Sequence, residues 1–258
     1  MLYSNNKLIT YEFPLTERVR TLLRLEDLFA RINYFIAAGE SMDHHIALTT
    51  LFEILEVASR ADLKSDLLQE LERQKRLLTA LYDNPDISEN ALDEVLRDID
   101  SVSARVLGMS GKVGQYLRDN EWLMGIKQRA AIPGGVCEFD LPAYHHWQHQ
   151  PMESRRQLLN AWLLPMLPLR DALAILLKLL REGGKKYRFT ATKGSFQQMP
   201  GGRVSQMLRL SVADTLTCIP EVSANKYALN IRFVDASYTA KTSLYDQDVE
   251  FSLIFCSL

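Results

Sequence analysis

The sequence predicts an α+β protein, a helical bundle packed on an antiparallel β domain, and three observations predict it. Apolar residues recur at helical spacing through nearly everything between Thr16 and Glu182. Beyond Gly184 the period changes to two, the signature of half-buried strands. A strand-like run, Leu8–Phe13, stands alone at the other end of the chain. An isolated strand is unstable, so this one is expected to join the C-terminal sheet. The expected division is a helical domain of residues 16–183 and a β domain of residues 7–14 plus 184–258.

The elements follow in order. Leu8–Phe13 ends at Pro14, and Thr16 is placed to cap a helix with Glu17 in its first turn. Val19, Leu22, Leu25, Phe29, Ile32 and Ile36 share one face of that helix, and Gly39 supplies a stop. A second helix is expected over 43–59 and a third over 62–82, where Leu63, Leu67, Leu71 and Leu78 make an apolar stripe. Asp83-Asn84-Pro85 breaks the third helix, and Ser88 opens a fourth that runs to about Leu107. A fifth is predicted over 113–130, then an irregular stretch, IPGGVCEFDLPAYHHWQHQP. Helices resume over 153–164 and 168–182 and close at Gly183-Gly184. Strands are predicted around Tyr187–Ala191, Leu208–Val212, Leu229–Phe233 and Val249–Phe255, separated by turns such as MPGGR and by longer loops.

Composition narrows the function. The 258 residues are enough for one large domain or two modest ones, and a net charge of −2 argues against wholesale nucleic-acid binding. The charge is uneven. From Gly184 onward nine Lys/Arg face six Asp/Glu, so a mildly basic C-terminal part follows an acidic remainder. Three widely spaced cysteines (Cys137, Cys218, Cys256) without CxxC fit a reducing compartment better than a disulfide framework. MLYSNNKLITYEF does not read as a signal peptide, and the most apolar stretch, 161–180, carries Arg170, Asp171, Lys178 and two prolines. A soluble cytoplasmic protein is expected.

Catalytic and metal motifs do not hold up. VLGMSGKVG glances at a phosphate loop, but GxxxxGK[ST] needs Gly where Val106 stands and Ser or Thr where Val113 stands. A turn between helices is the better reading. His145, His146 and His149 in HHWQH have a spacing that suits zinc, yet position 146 is not Glu and no second Cys/His cluster offers further ligands. Packing, hydrogen bonding or anion binding when protonated suits these histidines better. With no GxSxG, no dinucleotide fingerprint and no strand-end carboxylate pair, the residues assemble no catalytic constellation, and an enzyme or a metal site is the lesser expectation.

The basic cluster on the first helix is more informative. Arg20 and Arg24 are stacked one turn apart, with Arg18 and Arg31 on the same element. Like charges at that spacing cost a few tenths of a kcal/mol in an isolated helix. Glu17 and Asp27 lie three residues from Arg20 and Arg24 and could neutralise them, leaving a solvated face. The other reading is a surface that accepts anions, since guanidinium forks pair well with carboxylates and phosphates.

Several segments resemble the ZapD family of bacterial division factors: FPLTERVRTLLRLE, DLLQELERQKRLL, VGQYLRDNEWLMGIKQRAAIPGGVCEFDLPAYHHW and NKYALNIRF. The likeness spans almost the whole chain, and the IPGGxCxFDLP segment is its most specific part. The resemblance implies a homodimer with a helical and a β domain. It implies that a basic pocket between the domains binds the C-terminal tail of FtsZ, and that the dimer bundles FtsZ filaments at the mid-cell division ring. It further implies no catalytic activity and no cofactor, while charge and hydropathy lead to the expectation of no membrane and no nucleic acid as partners. Residue by residue, Arg20 and Arg24 match first-helix arginines of the family. Arg60 matches one before the third helix, and His145 matches a histidine after FDLP. Lys226 and Arg232 match basic positions in NKYALNIRF. Glu121 departs from the pattern, standing where a relative has a basic residue. The rival reading is a nucleic-acid-binding module on the same basic face.

Overall fold

Strand β1 (Leu8–Pro14) pairs antiparallel with a strand some 200 residues away, with Leu8 opposite Ala213 and Pro14 opposite Met207. The N-terminal strand therefore joins the C-terminal sheet, as its isolation in sequence demands. The computed structural model describes residues 7–59, 62–85, 87–199, 205–225, 227–237 and 242–258. It divides into two compact units, Met1–Arg20 with Lys178–Leu258, and Thr21–Leu177.

In the first unit, β1, β2 (Lys185–Ala191), β4 (Met207–Ala213) and β7 (Val249–Cys256) form a four-stranded sheet in the order β1-β4-β7-β2. Strands β3 (Ser195–Gln198), β6 (Leu229–Asp235) and β5 (Cys218–Ala224) form a second sheet in that order. Alternation sends Leu208, Leu210, Ile231, Phe233, Phe251 and Leu253 into one shared core. Phe251 of the first sheet lies 5.2 Å from both Phe196 and Phe233 of the second. Glu12 of β1 takes the Arg181 fork through both carboxylate oxygens at 2.8 Å, and Arg209 of β4 approaches it at 3.1 Å. Burial alone would raise the Glu12 pKa, but the two arginines outweigh it and hold the carboxyl below its ordinary value.

Two strands were not predicted, for identifiable reasons. β5 carries Pro220, which argues against a strand except at an edge, and β5 is an edge strand. β3 has four residues and a single aromatic, too short for a period. It is entered through a tight turn at Lys193-Gly194, both in left-handed backbone, closed by Ser195 N–H to the Thr192 carbonyl. A Cβ on Gly194 would stand 2.5 Å from the Tyr245 carbonyl oxygen, so only glycine fits. The MPGGR turn lies largely outside the described residues.

The helices are α1 (Glu17–Ala37), α2 (Ser41–Ala58), α3 (Leu63–Thr79), α4 (Glu89–Leu107), α5 (Gln115–Arg118), α6 (Glu121–Ala130), α7 (Pro142–Gln148), α8 (Met152–Leu163) and α9 (Leu167–Glu182). Thr16 caps α1 through its hydroxyl to Val19 N–H, and Ser88 caps α4 through Ala91 N–H. The helix predicted over 113–130 is two. Asn120 accepts the Leu123 N–H at 3.0 Å and so starts α6 afresh, because its short amide bonds backbone more readily than it continues a helix.

A buried guanidinium ties the α1–α2 turn of the helical unit to the α7–α8 turn. Arg155 donates Nε to His44 Nδ1 at 3.0 Å, Nη2 to the Gly39 carbonyl at 2.9 Å, and Nη1 to the Gln148 and Gln150 carbonyls. His44, fully buried, must then be neutral, with Nδ1 accepting and Nε2–H donating to the Ala38 carbonyl at 3.0 Å. Burial first, and the Arg155 charge second, push its pKa down. Burial does the same to His45, whose Nδ1 lies 2.6 Å from the Tyr144 hydroxyl. A histidine with a depressed folded pKa gives stability that is complete above its unfolded value of about 6.5 and is lost as pH falls through that value toward the folded one. Thermal unfolding followed by circular dichroism should show the melting temperature dropping between pH 7.5 and 5.5. His44→Gln, which keeps an acceptor and a donor but cannot titrate, should flatten that slope.

Candidate functional site

The apolar stripe of α1 determines where its arginines go. Val19, Leu22, Leu25, Leu28, Phe29, Ile32 and Ile36 are all buried, which turns Arg20, Arg24 and Arg31 outward along the opposite side. Their counterions differ. Arg20 Nε meets Glu17 at 3.1 Å. Arg31 takes both Asp27 at 2.9 Å and Glu53 of α2 at 3.2 Å. Arg24 makes no ion pair or side-chain hydrogen bond among the described residues. Asp27 has two arginines within reach on the helix, three residues before it and four after it. It goes to Arg31, where Glu53 adds a second carboxylate. Arg24 is thereby left as an exposed cation on a rigid helix, one turn from another arginine.

His145 sits on α7, which begins at Pro142, a residue suited to the first turn because it has no N–H to leave unsatisfied. Tyr144 and Trp147 turn inward, their rings stacked at 5.6 Å beside Trp122 and Trp162, while His149 is exposed, His145 half-buried, and His146 borders a cavity lined by all three tryptophans. His145 Nε2 lies 3.6 Å from Glu138, and its ring packs on His149 at 4.3 Å. Among the described residues no three His, Cys, Asp or Glu side chains converge as a metal site requires.

In the β unit, Arg232 lies on the outer face of β6, because its neighbours Ile231 and Phe233 fill the core. It stands between Ser195 of β3 and Glu221 of β5, both directly opposite it in the ladders. Lys226 and Arg60 fall outside the described residues. Of the six positions named from sequence, Arg20 and Arg24 share one element, while His145 and Arg232 are exposed to different degrees on separate elements. Glu121 opens α6 and is exposed. Sequence reasoning did not anticipate that Arg24 would be the arginine of its row without a counterion.

The outward arginines of α1 offer charge-assisted hydrogen bonding to an anion. Among the described residues no helix is long and apolar enough to cross a membrane.

Comparison with known proteins is specific. The family profile described as "ZapD: Cell division protein" matches residues 23–232. The Cell division protein ZapD of Dechloromonas aromatica is 58% identical over 252 residues, covering 97% of this chain and all of that protein. Its namesake in Chromobacterium violaceum is 56% identical over 250 residues, covering 96% and 99%. That of Nitrosomonas europaea is 51% identical over 262 residues, covering the full length of both.

Proposed function

This chain belongs to the ZapD family of cell division proteins, and from that premise we propose that it binds the C-terminal tail of FtsZ and, as a homodimer, cross-links FtsZ filaments at the mid-cell ring. The observation that carries the proposal is Arg24, an exposed guanidinium without a counterion, one turn from Arg20 on a helix held by a buried apolar face. A short disordered tail loses entropy on docking and must recover it through a few charge-assisted contacts with a pre-formed surface. Arg20, Arg24 and His145 are the leading contacts on this reading, and Arg232, Lys226 and Arg60 are further basic positions for the same ligand. Each single contact is weak and screened by salt. A two-fold dimer presents the surface twice, and repetition along a polymer converts weak sites into firm attachment. The protein acts by binding, without catalysis or cofactor.

The test is co-sedimentation with GTP-assembled FtsZ, using intact FtsZ and FtsZ lacking its C-terminal tail. The protein should pellet with the first and stay in the supernatant with the second. Equal pelleting with both would place recognition elsewhere on the polymer. A gel shift of DNA or RNA under the same salt would favour the nucleic-acid reading instead.

A further inference from the structure

A cavity of about 800 Å³ opens between the start of α3 and the loop joining α4 to α5. Lys64, Lys112 and Arg118 line it, with Asp62 as the carboxylate among its described walls. Elsewhere in the helical unit Arg31, Arg73, Lys75, Arg105 and Lys127 are neutralised by carboxylates at 2.5–3.2 Å. Here the cations are held differently. Lys64 Nζ donates to the Met109 carbonyl at 2.6 Å, and Arg118 Nη1 donates to the Val113 carbonyl at 2.8 Å. Neutral carbonyls fix the position of a charged head without cancelling its charge. Lys112 is exposed and makes no ion pair among the described residues. It follows Gly111, whose missing side chain leaves open space, since a Cβ there would meet nothing within 4 Å.

Three cations and one carboxylate leave the described walls with a net of two positive charges in a concave space, which raises the local concentration of anions. A carboxylate would neutralise half of that, whereas a phosphate dianion or a diphosphate matches it. The volume is within the range of pockets that hold small ligands of nucleotide size. We propose that this cavity binds phosphate oxyanions, either free or as the phosphate chain of a nucleotide. The wall includes the GKV of VLGMSGKVG. That segment fails the sequence pattern of a phosphate loop and lies between helices, so any phosphate here is held by side-chain cations and not by a strand–loop–helix cradle.

The test is isothermal titration of the full chain with pyrophosphate at low ionic strength, beside sodium chloride at matched ionic strength. Saturable binding is expected, weakened at least tenfold by Lys112→Glu, with circular dichroism unchanged because Lys112 holds nothing in place. Arg24→Glu should bind pyrophosphate as the wild type does, which separates this site from the arginines of α1. A nucleoside diphosphate that binds more tightly than pyrophosphate identifies the ligand as a nucleotide, and equal binding identifies the phosphate chain alone. No saturable heat, heat reproduced by sodium chloride, or binding unaffected by Lys112→Glu overturns the proposal. So does binding of hexaglutamate with none of pyrophosphate.

Discussion

Arg24→Glu should abolish FtsZ filament bundling while leaving the fold intact. The side chain is exposed and holds no partner, so its loss removes nothing from the helix. The new carboxylate gains Arg20 as an i,i+4 neighbour, worth a few tenths of a kcal/mol. Stability should therefore move by less than about 0.5 kcal/mol, as for surface changes generally. Binding is another matter. A charge-assisted hydrogen bond contributes about 1.5–3 kcal/mol, and reversal adds repulsion, so affinity per site should fall by roughly ten- to a hundredfold or more. In the proposed dimer a cross-link would need both sites, so the loss would apply twice to each bridge. Light scattering with FtsZ and GTP reads the effect, and thermal unfolding checks the fold. Bundling at wild-type level would remove α1 from the site. Arg20→Glu should do less, since Arg20 already shares its charge with Glu17 at 3.1 Å.

Arg155→Met should be the most destabilising of the substitutions considered, at about 3–4 kcal/mol, in line with breaking a buried, fully hydrogen-bonded charge. The methionine fills much of the volume but strands the Gly39, Gln148 and Gln150 carbonyls and the His44 ring nitrogen. Two consequences distinguish this from ordinary loss of packing. With the Arg155 charge gone, His44 is easier to protonate and its folded pKa moves back toward the unfolded value, so the acid-side loss of stability should become smaller. The linked turns, α1–α2 and α7–α8, should lose amide-exchange protection together. Urea unfolding at pH 7.5 and 6 measures the first, and hydrogen exchange the second. A loss below about 1 kcal/mol would mean that water replaces the guanidinium.

How far the sequence was legible depends on how local the signal is. The Thr16 cap, the apolar stripe of α1 and the outward arginines follow from spacing alone, and the structure has them. So do four of the C-terminal strands, and the pairing of β1 with them follows from the instability of a lone strand. β5 was hidden because Pro220 is acceptable only at an edge, and edges are known only once the sheet is known. β3 was hidden by its length. The break at Asn120 turns on a competition between one side-chain amide and the helix, which periodicity does not register. At the candidate site, spacing allowed Asp27 to serve either Arg24 or Arg31. What tips it is Glu53, a residue on another helix, and no local pattern carries that information.

The order β1-β4-β7-β2 also has a consequence for synthesis on the ribosome. β1 emerges early, but its hydrogen-bonding partner β4 is made some 200 residues later. β7, which lies between β4 and β2, is translated after every other described strand. The helices of residues 21–177 are made before any of the strands that complete the sheet, and a compact unit made first can fold first. β1 must meanwhile wait with its backbone unpaired, so the nascent chain carries an exposed strand edge for most of its translation. That interval is when a chaperone, or a wrong strand, has its opportunity.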